Sequence, residues 1–151
     1  MEIHRSADGS ILLHQESYAK KVLERFKMLE SNSMKTPIEC GWNDKDLSKS
    51  ACNVPYREAV GNLMYLAVVT RPDISFAVNV ASRALESPTK RHWSLVKIIM
   101  QYIKGTLDVG LLYRKSGNFL TYSDAEYAGD CKTRKSTSGM FCMNASAAIT
   151  W

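Results

Sequence analysis

The chain has 151 residues, of which 45% are hydrophobic and 23% charged, and these values are ordinary for a globular protein. No apolar run reaches the length of a membrane-spanning helix, and residues 1–5 lack the apolar core of a signal peptide. We therefore expect an intracellular protein, cytoplasmic or nuclear, that has no membrane partner.

The formal net charge of +5 is concentrated in the middle of the chain. Residues 51–115 contain nine Lys and Arg against four Asp and Glu, whereas residues 1–50 and 116–151 are each neutral. A basic segment between neutral flanks favours an anionic partner, and nucleic acid is the commonest one.

The four cysteines and three histidines show no metal-binding pattern. The cysteines form no CxxC pair, and the histidines do not have zinc-ligand spacing. We expect free thiols in a reducing compartment. The four are Cys40, Cys52, Cys131 and Cys142.

The first predicted elements are a β-hairpin and an amphipathic helix. Residues 2–5 and 10–14 flank the turn dipeptide Asp8-Gly9, which is a strong hairpin signal. The helix is predicted over residues 17–29, because apolar residues recur there at helical spacing. Its opposite face is basic and carries Lys20, Lys21, Arg25 and Lys27.

Three further helices are predicted after a polar connection at residues 31–54. One opens at Pro55 and runs to Ala67, and a close backbone neighbour would explain the glycine at position 61. The next is predicted to be N-capped by Asp73 and to run to Leu85. The last spans residues 90–104 and ends at Gly105, a typical C′ glycine.

After residue 110, the spacing of apolar residues changes from the helical period to alternation with a period of two residues. Four strands are predicted, at residues 111–114, 119–124, 139–143 and 148–151. They suggest an antiparallel β-meander whose final edge and one face have no covering element. We therefore expect an incomplete domain.

Several motifs, in order along the chain, carry a family resemblance. They are Gln15-Glu16-Ser17-Tyr18, Tyr56-Arg57-Glu58-Ala59-Val60-Gly61, Thr70-Arg71-Pro72-Asp73, Tyr102-Ile103-Lys104-Gly105-Thr106 and Tyr122-Ser123-Asp124-Ala125. Together they resemble the Ty1/copia-type retrotransposon Pol polyproteins, and the resemblance covers nearly the whole chain. It runs from the end of the reverse transcriptase into the start of RNase H.

The resemblance implies an α+β fold in two parts. Residues 1–109 would be the C-terminal, thumb/connection-like part of a reverse transcriptase, consisting of the hairpin and the helices. Residues 110–151 would be the truncated N-terminal strands of an RNase H-like domain. The family's polymerase aspartates lie upstream of the hairpin and further RNase H carboxylates lie downstream, so we expect a fragment of the polyprotein.

Asp124 matches the first RNase H metal ligand of the family by its place in the motif. Glu126 stands where the family usually has Asp, and Asp130 follows in a predicted turn. Because the hydrolysis needs two metal ions held by several converging carboxylates, Asp124 is expected to be a vestigial ligand. The parent enzyme would use Mg²⁺, whereas this chain is expected to bind no cofactor and to have no independent catalysis.

We expect at most residual contact with a primer–template duplex, RNA–DNA or DNA. The resemblance assigns the helices to the thumb-like part that grips the duplex, through sequence-independent phosphate contacts. No small-molecule substrate is evident. The candidate binding residues are Lys20, Lys21, Arg25, Lys27, Lys90, Arg91, Lys97 and Lys104.

Three other interpretations stay open. Lysines spaced by sevens along a helix also fit the solvated face that any packed helix needs. The chain could be a transposon fragment co-opted as an interaction or effector-like protein without catalysis. It could also be an enzyme fragment that works with chains supplying the missing segments.

Overall fold

The computed structural model describes residues 1–42, 53–129 and 134–151. Much of the predicted polar connection, together with Cys52, Asp130 and Cys131, lies outside those residues. Helices and antiparallel strands are both present, which confirms the predicted α+β class. Of the described cysteines, Cys40 and Cys142 are free thiols.

The chain forms two compact units. The helical unit comprises residues 15–109 with Met1, and the strand unit comprises residues 2–14 and 110–151. The helical unit ends at Val109, and the hairpin groups with the C-terminal strands and not with the helices.

The helical unit is built around one apolar core. Its elements are α1 (Glu16–Arg25), α2 (Tyr56–Val69), a 3-10 turn (Pro72–Ile74), α3 (Ser75–Ser82) and α4 (Lys90–Lys104). The core draws residues from every one of them, and the side chains with no exposed surface include Leu23, Val60, Leu63, Ile74, Leu95 and Ile99. The apolar periodicity in the sequence therefore marks the buried faces correctly.

Helix α1 ends at Arg25, four residues earlier than predicted. Lys27 takes a left-handed conformation, with φ of 55°. The N–H of Lys27 donates to Glu24 O at 3.0 Å, and that of Met28 donates to Leu23 O at 2.8 Å. This bond pair is the Schellman motif, which stops a helix by satisfying its last carbonyls.

Helix α2 has its predicted position, but the explanation for Gly61 is wrong. Pro55 occupies the N-cap position, and the helix extends to Val69. A methyl group added to Gly61 would meet no atom within 4 Å. Position 61 is exposed, so no neighbouring backbone requires a glycine there.

The segment after α2 also differs from the prediction. Asp73 does not cap a helix, because it lies within the 3-10 turn and α3 begins at Ser75 with no side-chain cap. Helix α3 ends at Ser82, three residues before Leu85. The carboxylate of Asp73 is used instead by the guanidinium of Arg71.

Helix α4 spans the predicted residues. Its N-terminus is closed by a capping box, in which Thr89 N donates to His92 Nδ1 at 3.0 Å and His92 N donates to Thr89 Oγ1 at 3.4 Å. The helix ends before Gly105 as predicted, but Gly105 occupies the C-cap position with a right-handed φ of −75° and is not a C′ glycine. A Cβ there would lie 3.0 Å from Ser33 Cβ, which favours glycine for a packing reason.

The strand unit contains two three-stranded antiparallel sheets. The first, in the order β1-β2-β3, consists of Glu2–Arg5, Ile11–His14 and Leu111–Tyr113. The second, in the order β4-β5-β6, consists of Leu120–Glu126, Thr137–Asn144 and Ala147–Thr150. The predicted four-strand meander is therefore wrong in one respect, because β3 pairs with the hairpin and not with β4.

Gly110 explains how β3 reaches the hairpin. A Cβ at this position would overlap with the carbonyl oxygen of Leu13 and lie 2.8 Å from His14 Cβ. Only a residue without a side chain allows the chain to enter β3 this close to β2. Leu111 then pairs with Leu13 in the sheet.

Two tight turns connect strands of this unit. Gly9, with φ of 82°, closes the first hairpin, and Asp8 Oδ1 accepts bonds from Ser10 N at 2.9 Å and Ser10 Oγ at 2.7 Å. Those bonds lower the pKa of Asp8. The β5–β6 turn uses Ala145 and Ser146 at φ of 52° and 67°, although neither is glycine.

Candidate nucleic-acid interface

All eight predicted binding residues lie in the helical unit. The four at the N-terminal helix, Lys20, Lys21, Arg25 and Lys27, are exposed. Lys20 pairs with Glu16 one turn away at 2.6 Å, and Arg25 forms an ion pair with Glu58 of α2. Exposed pairs of this kind contribute roughly 0–1 kcal/mol, so they leave both cations accessible to a phosphate.

The residues on α4 divide into accessible and engaged side chains. Lys90 and Lys97 are exposed, and no contact of their amino groups is described within residues 1–42, 53–129 and 134–151. Lys104 donates a hydrogen bond to Ser31 O, which fastens the segment after α1 to the end of α4. The Arg91 guanidinium lies 5.7 Å from the ring centre of Trp42, a cation–π distance.

The two basic helices are neighbours in the same unit. Helices α1 and α4 pack directly, and Phe26, just after α1, contacts Trp93 of α4 edge to face at 6.4 Å. The structure therefore brings the basic residues onto two adjacent elements. Of the three lysines spaced by sevens along α4, Lys104 is engaged in the hydrogen bond to Ser31 O.

Asp124 lies on an exposed strand. Its Oδ1 accepts a bond from Ala125 N at 2.9 Å. Glu126, two residues on in β4, has its carboxylate against Gly129, where an added Cβ would overlap with it. In the described part of the chain, the one group of three or more His, Cys, Asp or Glu side chains placed to share a metal ion does not include Asp124. Asp130 lies outside that part.

These residues do not fit a pair of Mg²⁺ ions. Mg²⁺ requires near-octahedral oxygen coordination, and two-metal hydrolysis requires several carboxylates that converge on both ions. Asp124 and Glu126 supply two carboxylates, and that of Glu126 is turned towards the chain at residue 129. We therefore derive no hydrolytic step through Mg²⁺ from the described residues.

The Thr70-Arg71-Pro72-Asp73 motif forms a polar network around one buried guanidinium, whereas the Asp73 carboxylate is partly exposed. Arg71 is 2% exposed. Its Nε and Nη2 donate to Asp73 Oδ1 and Oδ2 at 2.9 and 2.8 Å, and its Nη1 donates to Thr106 O at 2.9 Å. Tyr102 Oη donates to Asp73 Oδ2 at 3.0 Å. Burial and then the Asp73 carboxylate raise the pKa of Tyr102.

Two more motif residues also have packing roles. Tyr56 is buried and donates from Oη to Ala81 O at 2.8 Å, which joins α2 to α3. Thr70 Oγ1 donates to Gln15 Oε1 at 2.8 Å. Gln15 is 3% exposed, and its Nε2 has no hydrogen-bond partner among the described residues. The shared motifs thus mark contacts that hold the helices together.

Sequence reasoning missed one cluster of titratable side chains. Glu2, His4 and His14 lie in the strand unit with their ligand atoms within 4.8 Å of one another. Spacing along the chain could not indicate this group, because residues 4 and 14 are ten positions apart. The signal that could have indicated it is the register of the predicted hairpin.

Comparison with known proteins identifies the family. The chain is 42% identical to the retrovirus-related Pol polyprotein from transposon TNT 1-94 of Nicotiana tabacum, over 99% of this chain and 12% of that protein. It is 35% identical to an uncharacterised mitochondrial protein of Arabidopsis thaliana, over 95% of this chain and 60% of that protein. It is also 42% identical to secreted RxLR effector protein 161 of Plasmopara viticola, over 66% of this chain and 71% of that protein.

The chain belongs to the Ty1/copia-type retrotransposon Pol polyprotein family. It spans about an eighth of the length of the Pol polyprotein from TNT 1-94. No protein-family model and no solved structure matches this copia-type chain. None of the helices at residues 16–25, 56–69, 75–82 and 90–104 combines the length and apolar content needed to span a bilayer.

Proposed function

We propose that this copia-type chain is a non-catalytic part of the Pol polyprotein that contacts the backbone of an RNA–DNA or DNA duplex. The observation that carries the proposal is a set of exposed cations on two helices that pack together and in the turn that follows the first of them. Phosphate contacts of this kind are independent of base sequence and weaken with salt. The exposed lysines are Lys20, Lys21, Lys27, Lys90 and Lys97.

Lys90 and Lys97 are the cations best suited to a direct test. They are two turns apart on α4, exposed, and uninvolved in any described contact that holds the helical unit together. Glutamine has nearly the same helix propensity as lysine, so Lys90→Gln with Lys97→Gln removes charge without disturbing the helix. Lys104 is unsuitable, because its bond to Ser31 has a structural role.

The experiment titrates a labelled RNA–DNA hybrid with the protein at 50 and 200 mM salt and measures fluorescence anisotropy. The wild type should bind more weakly at the higher salt. The slope of log K against log salt is negative. In the double variant it should become shallower by about 2, because two phosphate contacts are lost.

The matched control removes the same charge elsewhere. Lys35→Gln with Lys115→Gln alters exposed lysines outside α1 and α4. This variant should keep the slope of log K against log salt within about 0.5 of the wild-type value. Equal loss of affinity in both variants would show that only net charge matters. Salt-independent binding, or none, would overturn the proposal.

The RNase H-like assignment of the C-terminal strands and the absence of catalysis are further parts of this proposal. Support comes from the antiparallel β4-β5-β6 arrangement and from the exposed position of Asp124 in β4. The test is cleavage of an RNA–DNA hybrid with Mg²⁺ present. We expect no cleavage by the wild type. Cleavage that disappears in Asp124→Asn would contradict this part and favour an enzyme fragment.

A second candidate function is an effector-like interaction module without catalysis. Its support is the 42% identity to a protein named as a secreted effector, with 71% of that protein covered. This candidate predicts a folded chain with no duplex affinity at 50 mM salt. Circular dichroism on the same samples shows whether failure to bind reflects unfolding.

A further inference from the structure

We propose that Glu2, His4 and His14 form a binding site for one divalent transition-metal ion of the Zn²⁺ class. The site lies on the first hairpin, in the strand unit, and is independent of the proposed duplex contact. Neither Asp124 nor any residue of the basic helices takes part in it.

The strand register explains why these three side chains meet. Successive residues of a strand point to opposite faces, so residues 2 and 4 of β1 share a face. Glu2 is the register partner of His14 in β2, and directly opposed residues also share a face. His14 is therefore opposite Glu2 and diagonal to His4, and all three side chains converge on one side of the hairpin.

The geometry is close to that of a coordinated ion. One ligand atom from each residue lies within 4.8 Å of the others. Tetrahedral ligands at zinc bond lengths of about 2.0–2.1 Å are roughly 3.3 Å apart, so each pair must close by no more than about 1.5 Å. His4 is exposed and Glu2 is half-buried, so both can move towards a more fixed His14, which is 6% exposed.

The two imidazole rings are already stacked on each other. Their centroids are 4.8 Å apart and their planes differ by 17°, so a nitrogen of each ring can face the same ion after a small rotation. This arrangement connects β1 to β2 across the hairpin. A bound ion would therefore cross-link the two strands and stabilise them.

The ligand set selects the chemical class of the ion. Two imidazole nitrogens and one carboxylate suit Zn²⁺, Co²⁺, Ni²⁺ and Cu²⁺, whereas Mg²⁺ and Ca²⁺ prefer oxygen ligands. Three protein ligands leave at least one coordination position for water or another molecule. The site is therefore open and distinct from the all-carboxylate type that RNase H chemistry uses.

The experiment uses the full chain without a polyhistidine tag and with a short Gly-Ser extension before Met1, which keeps the terminal amine away from Glu2. Zn²⁺ is titrated in competition with a chromophoric chelator. Wild type should bind one ion per chain. His4→Gln should weaken binding at least about tenfold, because even outer-shell partners of metal ligands contribute 10- to 100-fold.

The choice of variants separates loss of coordination from loss of folding. His14→Gln is avoided, because His14 is buried and its replacement would also disturb the hairpin. Glu2→Gln is used beside His4→Gln, because both alter accessible side chains, and it should also weaken Zn²⁺ binding. The matched carboxylate control is Glu30→Gln, an exposed change outside the cluster, which should retain wild-type affinity.

A spectroscopic readout completes the test. Co²⁺ bound to nitrogen and oxygen ligands in a site of low coordination number gives visible absorption bands, which should appear with wild type and be absent in His4→Gln. The absence of saturable one-to-one Zn²⁺ binding, or equal affinity in wild type, Glu2→Gln and His4→Gln, would overturn the proposal. Duplex binding should be unchanged in these variants.

Discussion

At several positions in this chain, the backbone conformation of one residue decides whether a substitution raises or lowers stability. Gly61 and Gly41 both have open space where a Cβ would be placed, but Gly41 has φ of 71° and Gly61 lies within the right-handed turns of α2. A side chain at position 61 is therefore unstrained, whereas one at position 41 is forced into the left-handed region. The two glycines form a natural matched pair.

Gly61→Ala should raise the free energy of unfolding by about 1 kcal/mol, because alanine loses less backbone entropy in a helix than glycine does. Urea unfolding followed by circular dichroism measures the change. Gly41→Ala, with the same added methyl group, should lower stability by about 1 kcal/mol. A stabilising effect of both variants would show that backbone conformation is not the cause.

Ser146→Gly should also stabilise the chain, by about 0.5–1 kcal/mol. The β5–β6 turn places Ala145 and Ser146 in the left-handed region, and glycine removes the steric cost at the second position. Some of the gain is offset by the greater freedom of glycine in the unfolded chain. Thermal unfolding measures the gain, and Ser146→Ala should show none, because alanine keeps the strain.

At the scale of elements, the family motifs act as connections between helices. Arg71 lies between α2 and the 3-10 turn, and Thr106, its hydrogen-bond partner, follows α4. Arg71 is buried, so a change that breaks its bonds leaves polar groups without partners away from solvent. The Arg71–Asp73 pair is therefore more important for the fold than the exposed pairs on α1.

Arg71→Lys should lower the free energy of unfolding by about 2–4 kcal/mol. Lysine keeps the charge but cannot make the forked bonds to Asp73 and Thr106 together. Arg83→Lys, at an exposed arginine on the end of α3, should change stability by less than about 0.5 kcal/mol. Similar losses in both variants would contradict the structural role of the network. Urea unfolding is again the measurement.

Local signals in the sequence were sufficient for most elements. The hairpin turn at Asp8-Gly9 and the 15-residue span of α4 are encoded by neighbouring residues, and both were predicted. The early end of α1 was not predicted, because Lys27 is not a residue type that signals a left-handed cap. Asp73 was misread because its partner, Arg71, could be recognised only from the three-dimensional contact.

In the candidate sites too, local sequence signals do not reveal contacts between residues that are distant in the chain. The exposure of Lys90 and Lys97 follows from helical periodicity, whereas the bond from Lys104 to Ser31 joins residues 73 positions apart. The pairing of β3 with β2 is also a long-range contact that periodicity cannot indicate. For the same reason, the grouping of Glu2, His4 and His14 became visible only with the hairpin register.

For the whole molecule, the two units differ in how much apolar surface they bury. The core of the helical unit contains 19 buried residues. The cluster in the strand unit has three, Leu111, Ala147 and Ala148, and every residue of β4 is exposed. Burial is the main favourable term in folding, so stability should be unevenly distributed.

Amide hydrogen exchange measured by mass spectrometry should reveal this difference. Peptides from α2 and α4 should exchange with protection close to the global free energy of unfolding, whereas peptides from β4 should exchange much faster. The two classes of peptide come from the same sample, so each serves as the internal reference for the other. Equal protection of β4 and α4 would contradict the uneven distribution.

The exposure of β4 has a practical consequence for handling the protein. Among the described strands, β4 pairs only with β5, so its other edge offers backbone groups to a second molecule. Leu120 and Tyr122 are 46% and 56% exposed, and residues 119–122 carry no charge. Uncharged apolar edges of this kind promote edge-to-edge aggregation. Leu120→Lys should therefore raise the concentration at which light scattering first appears, and the purified chain should be stored dilute.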